Sequence, residues 1–335
     1  MELIAGDIGG TKSWLVWMRD GAGAPRFEKV YRSADFASGE ALLNHFMAEA
    51  GQPQRPDGLT LALPGPLDAR RVTLTNLDWT LDADALGAAL AISRVQFVND
   101  FQAQAAGVAT LGADDVLTLN DTPARAGGVR AITGAGTGLG LAFMTADEDG
   151  HYISHATEAG HADFAPANAV QGRLLDHLRK RYGHVSWERA VSGSAFDDLY
   201  RFGCIEAGVP QPETPIDGAV LADRAAVGDP LATATLDLFV DLYGAWVGNV
   251  ALLYQPAGGL YIGGGVATHL VERLRAPRFL AAACDKGRMR GVVERTPIHL
   301  ITCARLGVQG AIELARARPG KPAFNSDTAV TRSGT

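Results

Sequence analysis

Asp100 is the residue of this sequence best placed for proton chemistry. It follows residues 95–98, a short apolar run that predicts a β-strand, and open α/β sheets present ligand-contacting groups at the C-terminal ends of their strands. A carboxylate there can accept the proton of a substrate hydroxyl as it attacks a γ-phosphate, and such a base contributes roughly 10²- to 10⁴-fold. Local sequence alone favours a helix N-cap for residues 101–111. The two roles are compatible, so Asp100 is a candidate general base.

Two further groups of polar side chains could bind a polyhydroxylated ligand. Glu158 and His161 are three residues apart, and a carboxylate beside an imidazole can accept from and donate to several hydroxyls of one sugar ring. The same pair could ligate a metal, but it lacks the i, i+4 spacing of helical zinc sites and has no cysteines beside it. Glu188 stands two residues after Ser186, one short of a capping box, and is available for a ligand or for a solvated helix start.

The segment from Thr75 to Trp79 offers an amide and an aromatic ring close together. Asn76 could hydrogen-bond a polar ring on which Trp79 stacks. The alternative is a turn asparagine followed by a core tryptophan, which is the commoner use of these residue types. Asn76 is therefore a secondary candidate for substrate binding.

Two turns rich in glycine and threonine each stand between two apolar runs. The first is Gly9-Gly10-Thr11 and the second is Gly136-Thr137-Gly138. Glycines let backbone N–H groups close on an anion without a Cβ in the way, and threonine adds a hydroxyl donor. The residues after each turn are rich in β-formers, so both turns are predicted hairpins and not the helix-opening loops of the commonest nucleotide motifs. A phosphate site built twice implies a nucleotide held between two halves.

Asp7 immediately precedes the first of these turns. An acidic group beside a bound triphosphate is what Mg²⁺ requires, usually with water molecules retained between the ion and the protein. The alternative is a turn in which the carboxylate bonds only to nearby backbone. Asp7 is the candidate metal residue of the sequence.

Strand-like and helical segments alternate, and the pattern begins twice, as in an α/β protein of two domains with a mixed sheet. The first unit has predicted strands at 3–8, 14–18, 58–63 and 95–98 and a helix at 40–50. The second opens with a strand at 129–133 and continues through an amphipathic helix with Val170, Leu174, Leu175 and Leu178 on its apolar face. It then has a buried helix at 231–254, and a short strand at 260–262 that enters a third glycine turn before a helix from about residue 267.

The helix at 307–316 is expected to return to the first unit. The predicted domains are therefore a smaller one of residues 1–111 plus 305–317 and a larger one of 112–304. Residues 318–335 are a polar segment without periodicity, for which we expect a disordered tail.

Composition gives no support to several classes of function. The net charge of −7 comes without any Lys/Arg-rich block, so nothing supports binding to nucleic acid or to an anionic membrane. The three cysteines are far apart and form no C-x-x-C pair, which fits a reducing cytoplasm and opposes a thiolate zinc site. No export signal is recognisable at the start of the sequence. A small-molecule ligand is the remaining expectation.

Seven motifs in order resemble the bacterial glucokinases, within the actin and sugar-kinase superfamily, from about residue 3 to 316. They begin at Gly6, Thr75, Asn99, Gly134, Glu158, Gly183 and Gly263. The resemblance implies a two-domain actin-like ATPase (ribonuclease H-like) α/β fold with an interdomain cleft. It also implies an ATP-dependent kinase for the 6-hydroxyl of glucose, cytoplasmic and homodimeric.

The resemblance also implies a role for each matched residue. Asp100 would be the general base, and Asp7 would organise Mg²⁺ through water. The other residues implied to contact sugar are Asn76, Asn99, Glu158, His161 and Glu188. Those implied to contact ATP are Gly6, Asp7, Ile8, Gly9, Gly10, Thr11, Gly136, Thr137, Gly264 and Gly265.

Two departures from the family pattern bear on these expectations. Lys12 stands where many of these glucokinases carry asparagine, and it either touches phosphate or points to solvent. The related repressor and open-reading-frame kinases usually carry a cysteine zinc motif after their Glu-x-Gly-His, which is absent after His161, so no zinc is expected. The alternatives are a kinase for another hexose or phosphoryl donor and, in a different class, a non-catalytic sugar or nucleotide sensor or a filament protein.

Overall fold

The computed structural model describes residues 1–51, 55–65, 70–74 and 77–316. These residues form two units. The first contains Met1–Ala113, Met144–Ala156 and the chain from Cys303 onward, and the second contains Asp114–Phe143 and Thr157–Thr302. The predicted ligand residue Asn76 and the predicted disordered tail 318–335 lie outside the described residues.

The chain up to residue 107 alternates strands and helices. In order they are β1 (Glu2–Ile8), β2 (Lys12–Arg19), β3 (Phe27–Arg32), α1 (Gly39–Ala50), β4 (Gly58–Leu63), β5 (Arg71–Thr73), β6 (Thr80–Asp82), α2 (Ala83–Leu90), β7 (Arg94–Asn99) and α3 (Asp100–Gly107). A 3-10 turn, Ser33–Asp35, follows β3. The main sheet has the order β3-β2-β1-β4-β7. β1, β2 and β3 pair antiparallel, whereas β1, β4 and β7 pair parallel, so the sheet is mixed as predicted.

The remaining elements contain the longest helix. In order they are β8 (Val116–Thr118), β9 (Arg130–Ala135), β10 (Leu139–Ala146), β11 (Tyr152–Ala156), α4 (Ala169–Tyr182), α5 (Trp187–Ala190), α6 (Ala195–Ala207), α7 (Gly218–Ala226), α8 (Pro230–Tyr254), β12 (Gly259–Gly263), α9 (Gly265–His269), α10 (Val271–Arg275), α11 (Pro277–Cys284), α12 (Arg290–Glu294), β13 (Ile298–Ile301) and α13 (Leu306–Arg316). The sheet here has the order β11-β10-β9-β12-β13-β8, with β9, β12 and β13 parallel.

Each face of the first sheet is covered by helices. Residues of α1 and α2, such as Phe46 and Leu86, pack with Ile4, Leu15 and Leu61 on one face. On the other face, α13 packs against β1 and β4 and α3 against β4 and β7, with Val308 and Ile312 among the buried residues. The last helix therefore returns to the first unit, as the sequence predicts. Its first turn reaches the strand end that carries Asp7.

Helix α8 is the centre of the second unit. By length and composition it is the one helix, among the described residues, that could cross a membrane, but 67% of its most apolar window is buried inside the fold. Phe239, Tyr243 and Trp246 are among its buried residues. Core helices meet the same criteria of length and hydropathy, so the prediction of a buried helix is confirmed.

Two local predictions are wrong in detail. Leu174 and Leu178 of α4 are fully buried, but Val170 is 42% exposed because it lies in the first turn of the helix beside an open groove. The helix after the third glycine turn begins at Gly265, two residues before the predicted start. The second difference places Gly265, predicted in the glycine turn, at the first position of the helix.

Candidate active site

The first glycine turn closes the hairpin between β1 and β2, as predicted. Gly9 N donates to the carbonyl of Lys12 at 2.9 Å, and the paired strands begin with Ile8 opposite Ser13. Gly9 and Gly10 are half-buried and Thr11 is exposed. The backbone at the tip is thus accessible, which an anion-binding turn requires.

Three predicted nucleotide residues, Gly6, Asp7 and Ile8, lie inside β1 and not in the turn. Gly6 is buried, and the side chains of Leu15 and Leu61 occupy the position that a Cβ on it would take. The side chain of Ile8 is 2% exposed and belongs to the hydrophobic core. Ile8 therefore offers a ligand only its backbone atoms.

The carboxylate of Asp7 lies at the end of β1 against the first turn of α13. It packs so closely on Gly307 that a Cβ at that position would collide with it. Burial raises the pKa of Asp7 from 3.8 to about 6, and the positive charge of Lys12 acts in the opposite direction. Among the described residues no Lys, Arg or His nitrogen lies within 4.0 Å of it. A half-buried carboxylate without a cationic partner is suited to a divalent cation.

Asn99, and not Asp100, is the N-cap of α3, which corrects the local prediction. Asn99 has an extended backbone, and its Oδ1 accepts the N–H groups of Phe101 at 3.0 Å and Gln102 at 3.2 Å. Asp100 is the first residue of the helix, and its Oδ1 accepts the Phe101 N–H at 2.8 Å. The helix begins one residue earlier than predicted because the amide of Asn99 satisfies its first N–H groups. Asp100 thus lies at a strand–helix junction without being the cap.

The second glycine turn joins β9 to β10, which are neighbours in their sheet. Gly136 N donates to the carbonyl of Gly138 at 2.8 Å, and Gly193 N donates to the carbonyl of Gly136 at 2.7 Å. Thr137 at the tip is exposed, and nothing lies within 4 Å of the position that a Cβ on Gly136 would take. As in the first turn, the tip is open while the base is hydrogen-bonded.

Glu158 and His161 are brought together by a 3-10 turn, Ala159–His161. The His161 Nε2 is 3.9 Å from Glu158 Oε2, and both side chains are more than half exposed. The His161 N–H also donates to the Glu158 carbonyl at 3.0 Å. The two polar groups therefore face the same side of one turn, where both could reach hydroxyls of a single ligand.

Glu188 is less free than its sequence context predicts. It lies in the first turn of α5, whose N-cap residue Ser186 makes no side-chain capping bond. Its Oε2 accepts the backbone N–H of Leu139 at 2.9 Å and lies against Gly138, where a Cβ would collide with it. Glu188 thus hydrogen-bonds the backbone next to the second glycine turn, a contact that local sequence does not show.

The segments that carry these three side chains are hydrogen-bonded side by side. Phe164 N donates to the Val185 carbonyl and Trp187 N to the Ala162 carbonyl, each at 2.9 Å. An isolated β-bridge joins Asp163 to Ser186. The backbone thus fixes the loop of Glu158 and His161 beside the start of the helix that carries Glu188.

The third glycine turn lies next to the second. Gly263 pairs with Gly134 in the parallel register of β12 and β9, and Gly264 is the N-cap residue of α9. Nothing lies within 4 Å of the position that a Cβ on Gly265 would take. The predicted nucleotide residues of this unit are therefore grouped at the ends of adjacent strands.

Nearly the whole chain matches known glucokinases. The family model for glucokinase matches residues 4–318. A glucokinase of Synechocystis sp. is 34% identical over 93% of this chain and 97% of its own. A glucokinase from an Antarctic psychrotroph has a TM-score of 0.81 at 28% identity, covering 94% of this chain and 98% of that one.

A more distant neighbour shares the fold. The ROK family glucokinase from Streptomyces griseus, solved with glucose and AMPPNP, has a TM-score of 0.61 at 21% identity, over 94% of this chain and 99% of that one. The fold is thus the two-domain actin-like ATPase fold of these kinases. Given the match of the family model over nearly its full length, the chain belongs to the glucokinase family.

Proposed function

We propose that this chain transfers the γ-phosphoryl group of ATP to the 6-hydroxyl of glucose, with Asp100 as the general base. The placement of Asp100 carries the proposal: it ends the parallel strand β7 and begins α3, with Oδ1 oriented by the Phe101 N–H. The positive end of a helix stabilises negative charge in its first turn. The 6-hydroxyl oxygen bonds to the γ-phosphorus as the bond from that phosphorus to the ADP oxygen breaks, and the proton of the hydroxyl passes to the Asp100 carboxylate.

The phosphates of ATP are assigned to the exposed tips of the two hairpin turns. Both tips offer glycine backbone, with Thr11 in one and Thr137 in the other. The residues proposed to contact ATP are Gly6, Asp7, Ile8, Gly9, Gly10, Thr11, Gly136, Thr137, Gly264 and Gly265, with Ile8 acting through its backbone. Backbone N–H groups hold phosphate without requiring a charged side chain in the turn.

Magnesium fits the surroundings of Asp7. One carboxylate with no cationic partner among the described residues suits an ion that takes one or two protein oxygens and keeps water and phosphate as its other ligands. The bound ion would neutralise charge on the transferred phosphoryl group. Asp7 would organise the ion through water, and a nearby cation would keep its carboxylate deprotonated by opposing the effect of burial on its pKa.

Glucose is assigned to the polar side chains grouped above. Glu158, His161 and Glu188 lie on segments that are hydrogen-bonded side by side, which supports a common ligand. Asn99 and Asp100 would contact the same sugar, and Asn76, which lies outside the described residues, is proposed from the sequence alone. From that resemblance we also propose that residues 1–111 plus 305–317 and residues 112–304 are the functional domains of a cytoplasmic homodimer.

A coupled assay with glucose, ATP and Mg²⁺ tests the assignment of the base. Asp100→Asn should lower kcat by about 10²-fold or more, while the Kd for glucose measured by calorimetry changes far less. Asp217→Asn is the matched control, because Asp217 caps α7 through its side chain and asparagine caps as well. We expect that control to keep the activity of the unmodified protein.

Three results would contradict the proposal. Full activity in Asp100→Asn would remove Asp100 from the base role. A panel of hexoses and donors in which another sugar, or polyphosphate, gives the higher kcat/KM would change the substrate while leaving the kinase chemistry in place. Light scattering with ATP provides a further check, since growth into large polymers would favour a filament protein.

A further inference from the structure

Ser33 is a buried residue that hydrogen-bonds the first glycine turn from outside it. Its Oγ donates to the carbonyl of Gly9 at 2.7 Å, and its backbone N donates to the carbonyl of Thr11 at 3.2 Å. The side chain of Ser33 is 0% exposed, so it cannot itself meet a ligand in solvent. It holds two carbonyl groups of the turn from a position 24 residues further along the chain.

These two bonds fix the orientation of two peptide planes. In a trans peptide the C=O and the N–H of the same plane point in opposite directions, and the described chain has no cis peptide. With the carbonyl of Gly9 directed toward Ser33, the N–H of Gly10 points away from it. For the same reason, the N–H of Lys12 points away from the Ser33 backbone that holds the Thr11 carbonyl.

The Ser33 hydroxyl is itself held in one orientation. Ser13 Oγ lies 2.9 Å from Ser33 Oγ and is also fully buried. Because the Ser33 proton is used by the Gly9 carbonyl, the Ser13 hydroxyl is the donor of this second bond. Ser33 also begins a 3-10 turn directly after β3, which fixes its backbone. The turn is therefore constrained by a rigid element and not by its own residues alone.

We propose that Ser33 is a positioning residue for nucleotide binding: it directs the N–H groups of the first glycine turn toward the phosphates of ATP. The inference rests on the proposed function, because it takes the turn to be a phosphate site. An anion is held well only by donors that are already aimed at it, since reorienting peptides on binding would cost affinity. Ser33 performs this alignment before the nucleotide arrives.

The second glycine turn is held in a comparable way by other residues. Gly193 N donates to the Gly136 carbonyl at 2.7 Å, and Glu188 accepts from Leu139 N at 2.9 Å. In both turns a residue distant in sequence binds the backbone at the base, and the tip stays exposed. Ser33 differs because its side chain has no other task in the proposed reaction. Its substitution therefore isolates the effect of turn orientation.

The test compares Ser33→Ala with Ser13→Ala. Each variant removes one buried hydroxyl, but only Ser33→Ala removes the donor to the Gly9 carbonyl. The Kd for Mg·ADP and for AMPPNP, measured by calorimetry without glucose, should rise about 3- to 10-fold in Ser33→Ala. The glucose Kd should be unchanged. Ser13→Ala should lower the unfolding midpoint with little effect on nucleotide, and Ser33→Thr, which keeps the hydroxyl, should recover most of the affinity.

Equal nucleotide affinity in Ser33→Ala and the unmodified protein would overturn the inference, as would equal losses in Ser33→Ala and Ser13→Ala. Failure of the proposed function gives a different pattern. A protein that binds Mg·ADP but does not phosphorylate glucose would refute the kinase assignment while the Ser33 comparison is still measurable. A protein that binds neither nucleotide would refute both.

Discussion

Glu188 accepts the backbone N–H of Leu139 at 2.9 Å, across 49 residues of sequence. This bond joins the short helix α5 to the strand that follows the second glycine turn, and the same carboxylate lies against Gly138. A carboxylate assigned to the sugar thus also holds the backbone of a turn assigned to phosphate. Any change that moves Glu188 should affect both ligands.

Gly138→Ala should move Glu188 without removing its charge. The added methyl group would collide with the carboxylate, so we expect the KM and Kd for glucose to rise about tenfold or more, as for loss of a charged hydrogen bond. Steady-state kinetics and calorimetry with glucose measure this effect. The control is Gly172→Ala in α4, where a Cβ meets nothing within 4 Å. Gly172→Ala should leave the KM and Kd for glucose unchanged and stabilise the fold by about 0.5–1 kcal/mol. Unchanged glucose affinity in Gly138→Ala would mean that the position of Glu188 does not affect glucose binding.

Substitutions of Asn99 separate its capping role from sugar binding. Asn99→Ala should lower the free energy of unfolding by about 1 kcal/mol, because Phe101 N and Gln102 N lose a common acceptor. Asn99→Asp keeps that acceptor, so its urea unfolding curve should match that of the unmodified protein. An amide can donate to a sugar hydroxyl and a carboxylate cannot, so Asn99→Asp should still bind glucose more weakly. If Asn99→Asp retains full glucose affinity, Asn99 is a cap only.

The elements that position the site follow from local sequence. Residues 58–63 are predicted as a strand and form β4 with the same bounds, and both glycine turns form hairpins because β-formers stand on either side of each. The return of α13 to the first sheet is also confirmed. Periodicity and turn chemistry carry this information, and both depend on neighbours a few residues away.

The contacts that orient the site do not follow from local sequence. The bonds from Ser33 to Gly9 and from Glu188 to Leu139 join residues brought together only by tertiary packing. Asn99 and Asp100 are both good capping residues, and the choice between them depends on where the helix begins, which pattern alone defines only to within a few residues. Periodicity shows which face of a helix is apolar but not where the elements packed on that face end, so it does not predict that Val170 is exposed.

Asp7→Asn should stabilise the metal-free protein at neutral pH. Burial raises the pKa of Asp7 to about 6, above its ordinary 3.8, so the folded state binds the proton more tightly than the unfolded state. The contribution of Asp7 to the free energy of unfolding is therefore largest below about pH 4, and it is lost as the pH rises through about 6. We expect Asp7→Asn to gain about 1–3 kcal/mol at pH 7.5 and clearly less at pH 4.5, in urea unfolding without Mg²⁺. A gain in stability that does not depend on pH would contradict this account. In a separate assay, Asp7→Asn should lose kinase activity.

Lys12→Asn tests how the positive charge that lowers the pKa of Asp7 acts. Lys12 Nζ is 6.0 Å from the centre of the Trp14 ring and has no carboxylate partner within 4.0 Å in the described parts of the chain, and its charge lowers the pKa of Asp7. Without that charge the carboxyl holds its proton to higher pH. The acidic limb of the pH profile of kcat/KM for ATP should then shift to higher pH. We expect kcat/KM to fall on the order of threefold near pH 6 and to be unchanged at pH 8.5.

The control for this profile is Lys180→Asn, which removes a lysine from the exposed face of α4 and should leave the acidic limb unchanged. A loss in Lys12→Asn that is equal at pH 6 and pH 8.5 would instead mean that the ammonium group contacts phosphate directly, because a phosphate contact does not depend on the protonation of Asp7. A profile identical to that of the unmodified protein would mean that Lys12 only points to solvent. If activity is lost, the pH dependence of that loss therefore distinguishes an effect on Asp7 from a contact with phosphate.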